Sequence, residues 1–514
     1  WFDFAHFAPT CENGRSDPWR GPPMSDNDGA ENVIPLDQPN DSDELRSISH
    51  QQLMRDFVLD HTHTIRYVEK WKSWYIWNGS RWKLDEKLGI QWSVLRFIHS
   101  VSKRLKASKY ERLCSTLSDA LPRIHKAELR KKFKLESKAG SKELESISTA
   151  YAVVSMTKSH PDVASVTDDW DKNPWLLNTP DGAVDLKSGN IRKSDKFDYM
   201  TKSTAVSPSL TEPTLWLSFL RKIMSNDEDM VRYLQRVFGY CLVGEPKQHE
   251  MYFGYGTGRN GKGTTLRAIT GLLGDYAGVA NIETFIINKS ERHPTELASL
   301  RGARLVTCGE TNEGQHWAEA RIKELTGGDP IKARFMRQDE FTYVPQFKLF
   351  LTGNHKPRLR NVDAAIEARF RLIPFAVHIP DHERDLDLDN KLKLEWPQIL
   401  HWCIEGCLMW QSDGLKPPAA VANATKTYLT NEDSLTLWLS ECTALTTGTF
   451  TYIEDLFKSW QAYCIANNEP SGTKRELQRK LEDRTSVIPI TRTRRAKGNG
   501  FAGIELLTPV KSDE

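Results

Sequence analysis

No stretch of this chain approaches the roughly 18–20 consecutive apolar residues that cross a bilayer. No leader with a basic start and an apolar middle is visible, and no internal repeat recurs. No two cysteines form a Cys-x-x-Cys pair: Cys11, Cys114, Cys241, Cys308, Cys403, Cys407, Cys442 and Cys464 are scattered. That argues against a zinc ribbon or a disulfide scaffold and for reduced thiols in a cytosolic compartment. Cys403 and Cys407 stand four apart near His401, but Ile399–Trp410 reads as a buried amphipathic helix rather than a metal site. The expectation is a soluble, cytoplasmic protein with no membrane partner. A strong charge of either sign is also missing. Lys and Arg number 70 against 68 Asp and Glu, so partners must be read from where the charges lie. The chain opens at Trp1 without a methionine, and Met24 begins an acidic stretch. Either it is cut from something longer or residues 1–23 are not native coding sequence.

What is present is globular: 39% hydrophobic and 27% charged residues in 514, too many for one core, so about three domains are expected. Residues 1–50, rich in Asp, Asn, Pro and Gly without periodicity, read as disordered. Residues 51–210 read as an α+β domain. There Trp74–Trp77 and Ser80–Trp82 flank Asn78-Gly79, which predicts a hairpin with a type I′ turn. The basic run Arg123–Lys138 reads as a solvated helix face, with DNA contact as the alternative. Short strands follow around Leu176–Asn178 and Val184–Leu186, and the tryptophans of this region read as core. Residues 211–380 alternate apolar strands and helices, which predicts a largely parallel α/β sheet. A helical connector over 381–430 includes Leu386–Trp410 and a Pro417-Pro418 loop. In 431–514, Thr451–Glu454 is expected to cap one helix and Thr473–Glu476 a second. Two strands then flank a turn at Lys497–Gly500, the order of a winged helix.

The strongest chemical signal follows the strand-like run Met251–Tyr255. Gly256, Thr257, Gly258, Arg259, Asn260, Gly261 and Lys262 have the G-x-x-x-x-G-K frame of a phosphate-binding loop, and Gly263, Thr264 and Thr265 open a helix. Glycines let backbone N–H groups turn inward around an anion, the helix N-terminus faces it, and Lys262 neutralises β- and γ-phosphate charge. Gly263 stands where Ser or Thr usually ligates Mg²⁺, so Thr264, less readily Thr265, or water must take that place. A second strand, Ala303–Cys308, ends in Glu310 and Glu313. One of these would hold Mg²⁺ through its water shell and the other polarise the attacking water, Glu310 being favoured for the metal; the two roles can be exchanged. A third, Phe347–Thr352, ends at Asn354, a sensor of γ-phosphate or simply a turn residue. Between these strands, Asp329–Arg337 and Phe341–Val344 read as a hairpin with a basic tip. Its Lys332, Arg334 and Arg337 beside aromatics suit single-stranded DNA.

The order of these motifs, followed by Ala368–Phe375, resembles the poxvirus/phage-type primase-helicase family, superfamily-3 helicases of the AAA+ class. The resemblance runs from near residue 70 to near 507 and includes His293–Ala298. It implies a multidomain protein: an α+β N-terminal domain, an AAA+ P-loop core and a C-terminal winged helix. It implies Lys262 as the Walker A lysine, Glu310 and Glu313 as Walker B acids, Asn354 as sensor and Arg369 as an arginine finger. ATP and Mg²⁺ would be the cofactors. Single-stranded and forked DNA, a homo-oligomeric ring of six and a separate primase or polymerase would be the partners, in a phage-infected bacterial cytoplasm. Where the family carries Trp-Arg-Arg, this chain has Glu367-Ala368-Arg369. That leaves Arg371 as an alternative finger, and a local salt bridge from Arg369 to Glu367 or Asp363 as the plainer role. Only about 50 irregular residues precede the first domain, so no primase activity is expected. Two rivals stand beside the helicase. A small-molecule kinase shares the loop but leaves the basic hairpin unexplained. An ATP-binding initiator or packaging scaffold would bind DNA without unwinding it.

Overall fold

The computed structural model describes residues 49–116, 131, 144–287, 295–309, 311–336, 339–360, 362–467, 471–485 and 488–507. The irregular start, the basic run other than Lys131, His293 and Pro294 of the family pattern, Glu310 and Arg337 lie outside them. Among the described residues no helix is long and apolar enough to cross a membrane.

The chain begins with α1 (His50–His61), whose first turn is capped by the Ser49 hydroxyl accepting from the Gln52 N–H at 3.1 Å. Strands β1 (Ile65–Val68), β2 (Ser73–Trp77) and β3 (Trp82–Leu84) follow, then α2 (Gly89–Thr116), α3 (Ile147–Thr157) and β4 (Ala164–Ser165). The sheet order is β3-β2-β1-β4, antiparallel except for the β1–β4 pair. One sheet face packs Leu53, Phe57, Val94 and Val153 from the helices; the other gathers Trp82 and Trp170 with Trp71, Tyr75 and Tyr199. Trp74, Trp82 and Trp170 are core, as expected, but Trp92 is exposed on α2. The Asn-Gly hairpin forms, but not its type I′ turn. Trp77 pairs with Trp82, leaving a four-residue connection. Only Gly79 there takes a positive φ, +102°; the Asn78 carboxamide instead accepts from the Ser80 and Arg81 N–H groups. A type I′ turn needs positive φ at both central residues, and Asn78's side chain offers the backbone a cheaper alternative.

Strands β5 (Leu176–Thr179), β6 (Gly182–Asp185) and β7 (Ile191–Arg192) form an antiparallel meander. Leu177, Val184 and Leu186 share one core with α4 (Thr214–Ile223) and α5 (Glu228–Tyr240). The alternation that follows is α/β: β8 (Met251–Tyr255), α6 (Lys262–Leu273), β9 (Ala277–Val279), α7 (Thr295–Ser299), β10 (Leu305–Cys308) and α8 (Glu319–Thr326). Then come the antiparallel β11 (Ile331–Ala333) and β12 (Phe341–Tyr343), β13 (Lys348–Gly353), α9 (Ala364–Arg369) and β14 (Phe370–Pro374). The five-stranded sheet runs β14-β8-β13-β10-β9 with every pair parallel. Its central strands are buried along their length, because helices cover both faces.

Helices α10 (Leu388–Leu394) and α11 (Trp396–Asp413) close one face. α11 lies directly on α5: a Cβ at Gly406 would sit 2.0 Å from the Gln235 carbonyl, and one at Gly239 2.1 Å from the Cys407 nitrogen. Cys403 and Cys407 of α11 are buried, the Cys407 Sγ 3.8 Å from the Leu186 carbonyl, and burial pushes the Cys407 thiol up to about 12. At the opposite end of the sheet from the strand C-termini, two cations are buried without a carboxylate. Arg304 donates to the Leu242 and Leu176 carbonyls at 2.5 and 2.7 Å, and Lys348 donates to the Val243 carbonyl.

Helix α12 (Ala419–Glu432) covers β14, with the Trp317 indole N–H donating to the Tyr428 hydroxyl at 3.0 Å. The C-terminal unit comprises α13 (Ser434–Cys442), β15 (Thr443–Ala444), β16 (Phe450–Tyr452), α14 (Ile453–Ala466), α15 (Lys474–Asp483), β17 (Thr491–Arg495), β18 (Gly498–Ala502) and β19 (Glu505–Leu506). Trp438, Leu456, Trp460, Leu477, Leu481 and Phe501 fill its core. The Thr473–Glu476 capping box is present. The one expected at Thr451 is not, because Thr451 belongs to β16 and its hydroxyl donates to the Ile504 carbonyl at 2.7 Å; the helix starts from Tyr452 without a side-chain cap. The last hairpin turns at Ala496-Lys497 rather than Lys497–Gly500, since Arg495 already pairs with Gly498.

Candidate nucleotide site and basic hairpin

Three adjacent parallel strands deliver the candidate residues to one edge. In open parallel sheets, ligands bind beyond the carboxyl ends of the strands. Gly353 at the end of β13 pairs with Tyr255 at the end of β8, and Cys308 at the end of β10 pairs with Leu351. The loop from β8 into α6 is held from several sides. Gly261 caps α6 at φ +82°, a conformation that side chains resist. The buried Asn260 amide donates to the Phe375 carbonyl at 3.1 Å, and Arg259 pairs with Asp381 at 2.9 Å. Lys262 is buried at the first position of α6. Its ammonium donates to the Gly256 carbonyl at 2.6 Å and to the Asn354 Oδ1 at 3.3 Å. Lysine, loop and the polar end of β13 therefore converge, at the positive end of a helix.

The residues after Lys262 differ in what they offer. Thr265 is fully buried and its hydroxyl donates to the Gly261 carbonyl at 3.0 Å. Thr264 is half-exposed and its hydroxyl accepts from the Arg267 guanidinium at 3.1 Å. A Cβ on Gly263 would lie 2.9 Å from the Arg267 Nη1, so this arginine occupies the space that a Ser or Thr side chain would take. Arg267 also pairs with Asp389 at 2.9 Å. Sequence reasoning passed over it, although its i+4 spacing from Gly263 was readable.

Beyond β10, Glu310 is not described and Glu313 is exposed. The buried Thr311 hydroxyl donates to the His355 carbonyl, which ties the loop after β10 to the loop after β13. A further cation unassigned from sequence, Lys356, lies 3.8 Å from the ring centre of Tyr255, the last residue of β8. Partial burial lowers its pKa.

Arg369 sits apart from this edge's loop at the end of α9. Its Nε donates to the Thr326 hydroxyl at 3.0 Å and its Nη1 to the Ala365 carbonyl at 2.8 Å. No salt bridge to Glu367 or Asp363 forms among the described residues; Asp363 pairs with Lys323 at 2.5 Å. The alternative, Arg371, is paired with the buried Glu250 at 2.8 Å.

The basic hairpin exists as β11 and β12 in antiparallel register, Lys332 opposite Thr342. Lys332 and Arg334 are exposed, and so are Phe335 and Met336 at the tip. Phe335 stacks on Phe341, ring centres 5.6 Å apart. Cations and unshielded rings thus share one short element.

Residues 51–225 match the D5 N terminal like family, and residues 254–369 match a family of unknown function (DUF5906). Over 232 residues the chain is 27% identical to "Putative helicase L207/L206" of Acanthamoeba polyphaga mimivirus, covering 44% of this chain and 24% of that protein. Over 274 residues it is 27% identical to "Putative helicase 121R" of Invertebrate iridescent virus 3, covering 51% and 29%. These matches support a likeness to viral and phage primase-helicases. The chain spans about a quarter to a third of the length of the curated relatives it matches. Among solved structures, the apo structure of the NrS-1 C terminal region superposes with a TM-score of 0.47 at 10% identity, over 90% of this chain and 100% of that one. The D5 N terminal like match lies N-terminal to the glycine-rich loop, and the second match spans it.

Proposed function

We propose that this chain is the ATP-driven motor of a superfamily-3 DNA helicase, acting in phage or mobile-element replication in a bacterial cytoplasm. The observation that carries the reading is the convergence of Lys262 and Asn354 where the Gly256–Gly261 loop meets α6. The residues fit a polyphosphate: a glycine-rich turn, a helix N-terminus and a buried lysine. The strand order, with the first strand flanked by the fourth and fifth, supports an AAA+ P-loop core. We place that core in residues 211–380, between an α+β domain (51–210) and a helical connector (381–430). The helix–helix–hairpin unit of 431–514 is read as a winged-helix DNA-binding domain.

In this scheme Lys262 offsets phosphate charge and Asn354 orients the attacking water. Glu313 would polarise that water, and Thr264 and Glu310 would hold Mg²⁺, which would supply neutralisation of phosphate charge. Lys332, Arg334 and Arg337 grip single-stranded DNA at the centre of a six-membered ring, and Arg369 reaches a neighbour's ATP. Forked DNA and a separate primase or polymerase complete the set of partners.

ATP hydrolysis measured with and without single-stranded DNA tests the reading, alongside unwinding of a labelled fork. Lys262→Ala should abolish hydrolysis and leave the far-ultraviolet circular dichroism unchanged. ATPase at the wild-type rate in that variant would sink the site. One observation favours a second reading, an initiator or scaffold that binds ATP and DNA without unwinding. The slot after Lys262 holds Gly263 and Arg267 rather than a hydroxyl. ATP binding without DNA-stimulated turnover would establish it.

A further inference from the structure

A cleft of about 1240 Å³ opens between the β14 side of the sheet and the C-terminal unit, with Leu359, Leu429 and Leu435 among its apolar lining. It exceeds the roughly 300–1,000 Å³ of a small-molecule pocket. None of its lining residues belongs to the β11–β12 hairpin or to the Gly256–Gly261 loop. Six Lys and Arg residues line it; Arg371 and Arg484 are ion-paired, and four others enter from two sides, Arg360 and Lys426 from the sheet side, Arg479 and Lys480 from α15. Among the described residues none of the four is in an ion pair, whereas two of the five lining carboxylates, Asp363 and Asp433, are neutralised by cations, and Glu432, Glu367 and Asp483 keep their charge. Asp363 pairs with Lys323 at 2.5 Å, the Glu432 carboxylate accepts the Leu359 N–H at 3.0 Å, and Asp433 pairs with Arg484. Glu476, next to Arg479 and Lys480, accepts the Thr473 N–H at 2.8 Å to cap α15. Glu367 and Asp483 remain as the exposed acids of the lining. Unpaired cations converging across a concave, low-dielectric surface focus a positive potential there.

We propose that this cleft is a second nucleic-acid site, one that takes the phosphate backbone of single-stranded DNA between the sheet and α15. The proposal rests on the motor reading above and adds to it a path outside the hairpin. Its chemistry is that of a basic groove tracking a flexible polyanion. A strand held there bridges the two units, so the C-terminal unit would present DNA to the motor rather than hold it at a distance.

The test uses the full chain and a labelled oligothymidylate, with affinity read by fluorescence anisotropy across a salt series. Two variants are compared: Arg360→Ala with Lys426→Ala, Arg479→Ala and Lys480→Ala in the cleft, and Lys332→Ala with Arg334→Ala in the hairpin. The cleft variant should bind more weakly, and its log–log salt slope should flatten by about 0.7 for each phosphate it no longer neutralises. Arg479→Lys should retain the slope, and single reversals Lys426→Glu and Lys480→Glu serve if the fourfold variant does not fold. Unchanged affinity and slope in the cleft variants, with weakening confined to the hairpin variant, would overturn the cleft and leave the motor reading standing. Polyglutamate displacing the oligonucleotide from the cleft at equal charge would also overturn it, marking an acidic-peptide groove. If the wild-type chain binds no single strand at all, both readings fall.

Discussion

The guanidinium of Arg301 lies over the Trp71 ring, 5.1 Å from its centre, and 5.5 Å from the ring centre of Phe341. Trp71 belongs to the aromatic face of the N-terminal sheet, and Phe341 to the basic hairpin, where it stacks on Phe335. One cation therefore joins the hairpin to a separate sheet. A cation–π contact contributes about 0.5–1 kcal/mol at partly exposed sites, so Arg301→Ala should cost about 1–2 kcal/mol for two. Hydrogen exchange should quicken in 331–343 more than in β8. Denaturation and exchange indistinguishable from wild type would show that the two contacts contribute nothing.

Thr264→Ala should slow Mg²⁺-dependent ATP turnover more than Thr265→Ala does. The Thr265 hydroxyl is buried and spent on the Gly261 carbonyl, so its removal costs helix stability, about 1 kcal/mol. The Thr264 hydroxyl is half-exposed and, among the described residues, bonds Arg267. Titrating Mg²⁺ against initial rate separates the two: Thr264→Ala should raise the metal concentration for half-maximal rate, while Thr265→Ala should lower the melting temperature. Equal metal dependence in both would mean that neither hydroxyl serves the metal.

Lys348 carries a pH dependence whose sign follows from its surroundings. It is fully buried, and burial pushes its pKa down from 10.5 to about 7. Between those values the unfolded chain holds the proton and the folded one does not, so stability should rise with pH from about 7 to 10.5. Below about 7 the ammonium is charged in both states and the full penalty of burying it applies. Lys348→Met removes that penalty, along with the ammonium's contact with the Tyr240 ring and its bond to the Val243 carbonyl. Melting curves across pH 7–10 should flatten in the variant. A slope identical to wild type would place the titrating group elsewhere.

Much of this architecture was legible because its signals are local. The glycines and lysine of 256–262 specify a turn and a charge within seven residues, and the buried runs 251–255, 305–308 and 348–353 announce strands covered on both faces. Thr473–Glu476 caps its helix as its spacing predicts. Thr451 does not, because β18 claims that segment for a strand, and its hydroxyl for Ile504, fifty-three residues away. Asn78 fails as a type I′ residue because its own side chain competes for the turn's N–H groups. The hydrogen bonds of Arg369 depend on Thr326, and the cleft on helices from both ends of the chain's second half. No local pattern encodes such pairings.

The last prediction concerns whether Arg369 acts in a neighbour's site. Within one chain its guanidinium bonds Thr326 and Ala365, and lies among residues other than those that hold Lys262. The Lys262 edge itself has Lys356 and Arg267 nearby, but Arg267 is engaged by Asp389 and Lys356 by the Tyr255 ring. An arginine supplied in trans is worth about 10³–10⁵ in phosphoryl-transfer rate. A head-to-tail contact that supplies it closes into a ring when the rotation fits. Arg369→Ala should therefore lose at least about 10³ in ATPase rate, at a stability cost of about 1–2 kcal/mol for the two hydrogen bonds it gives up. Mixing gives the decisive measurement. Lys262→Ala and Arg369→Ala subunits, each inactive alone, should recover ATPase together, because some mixed interfaces pair an intact loop with an intact arginine. Arg371→Ala, which breaks the pair with Glu250, should show no such complementation. If Lys262→Ala and Arg369→Ala chains co-assemble and never regain turnover, Arg369 serves only the local junction of α9 with α8.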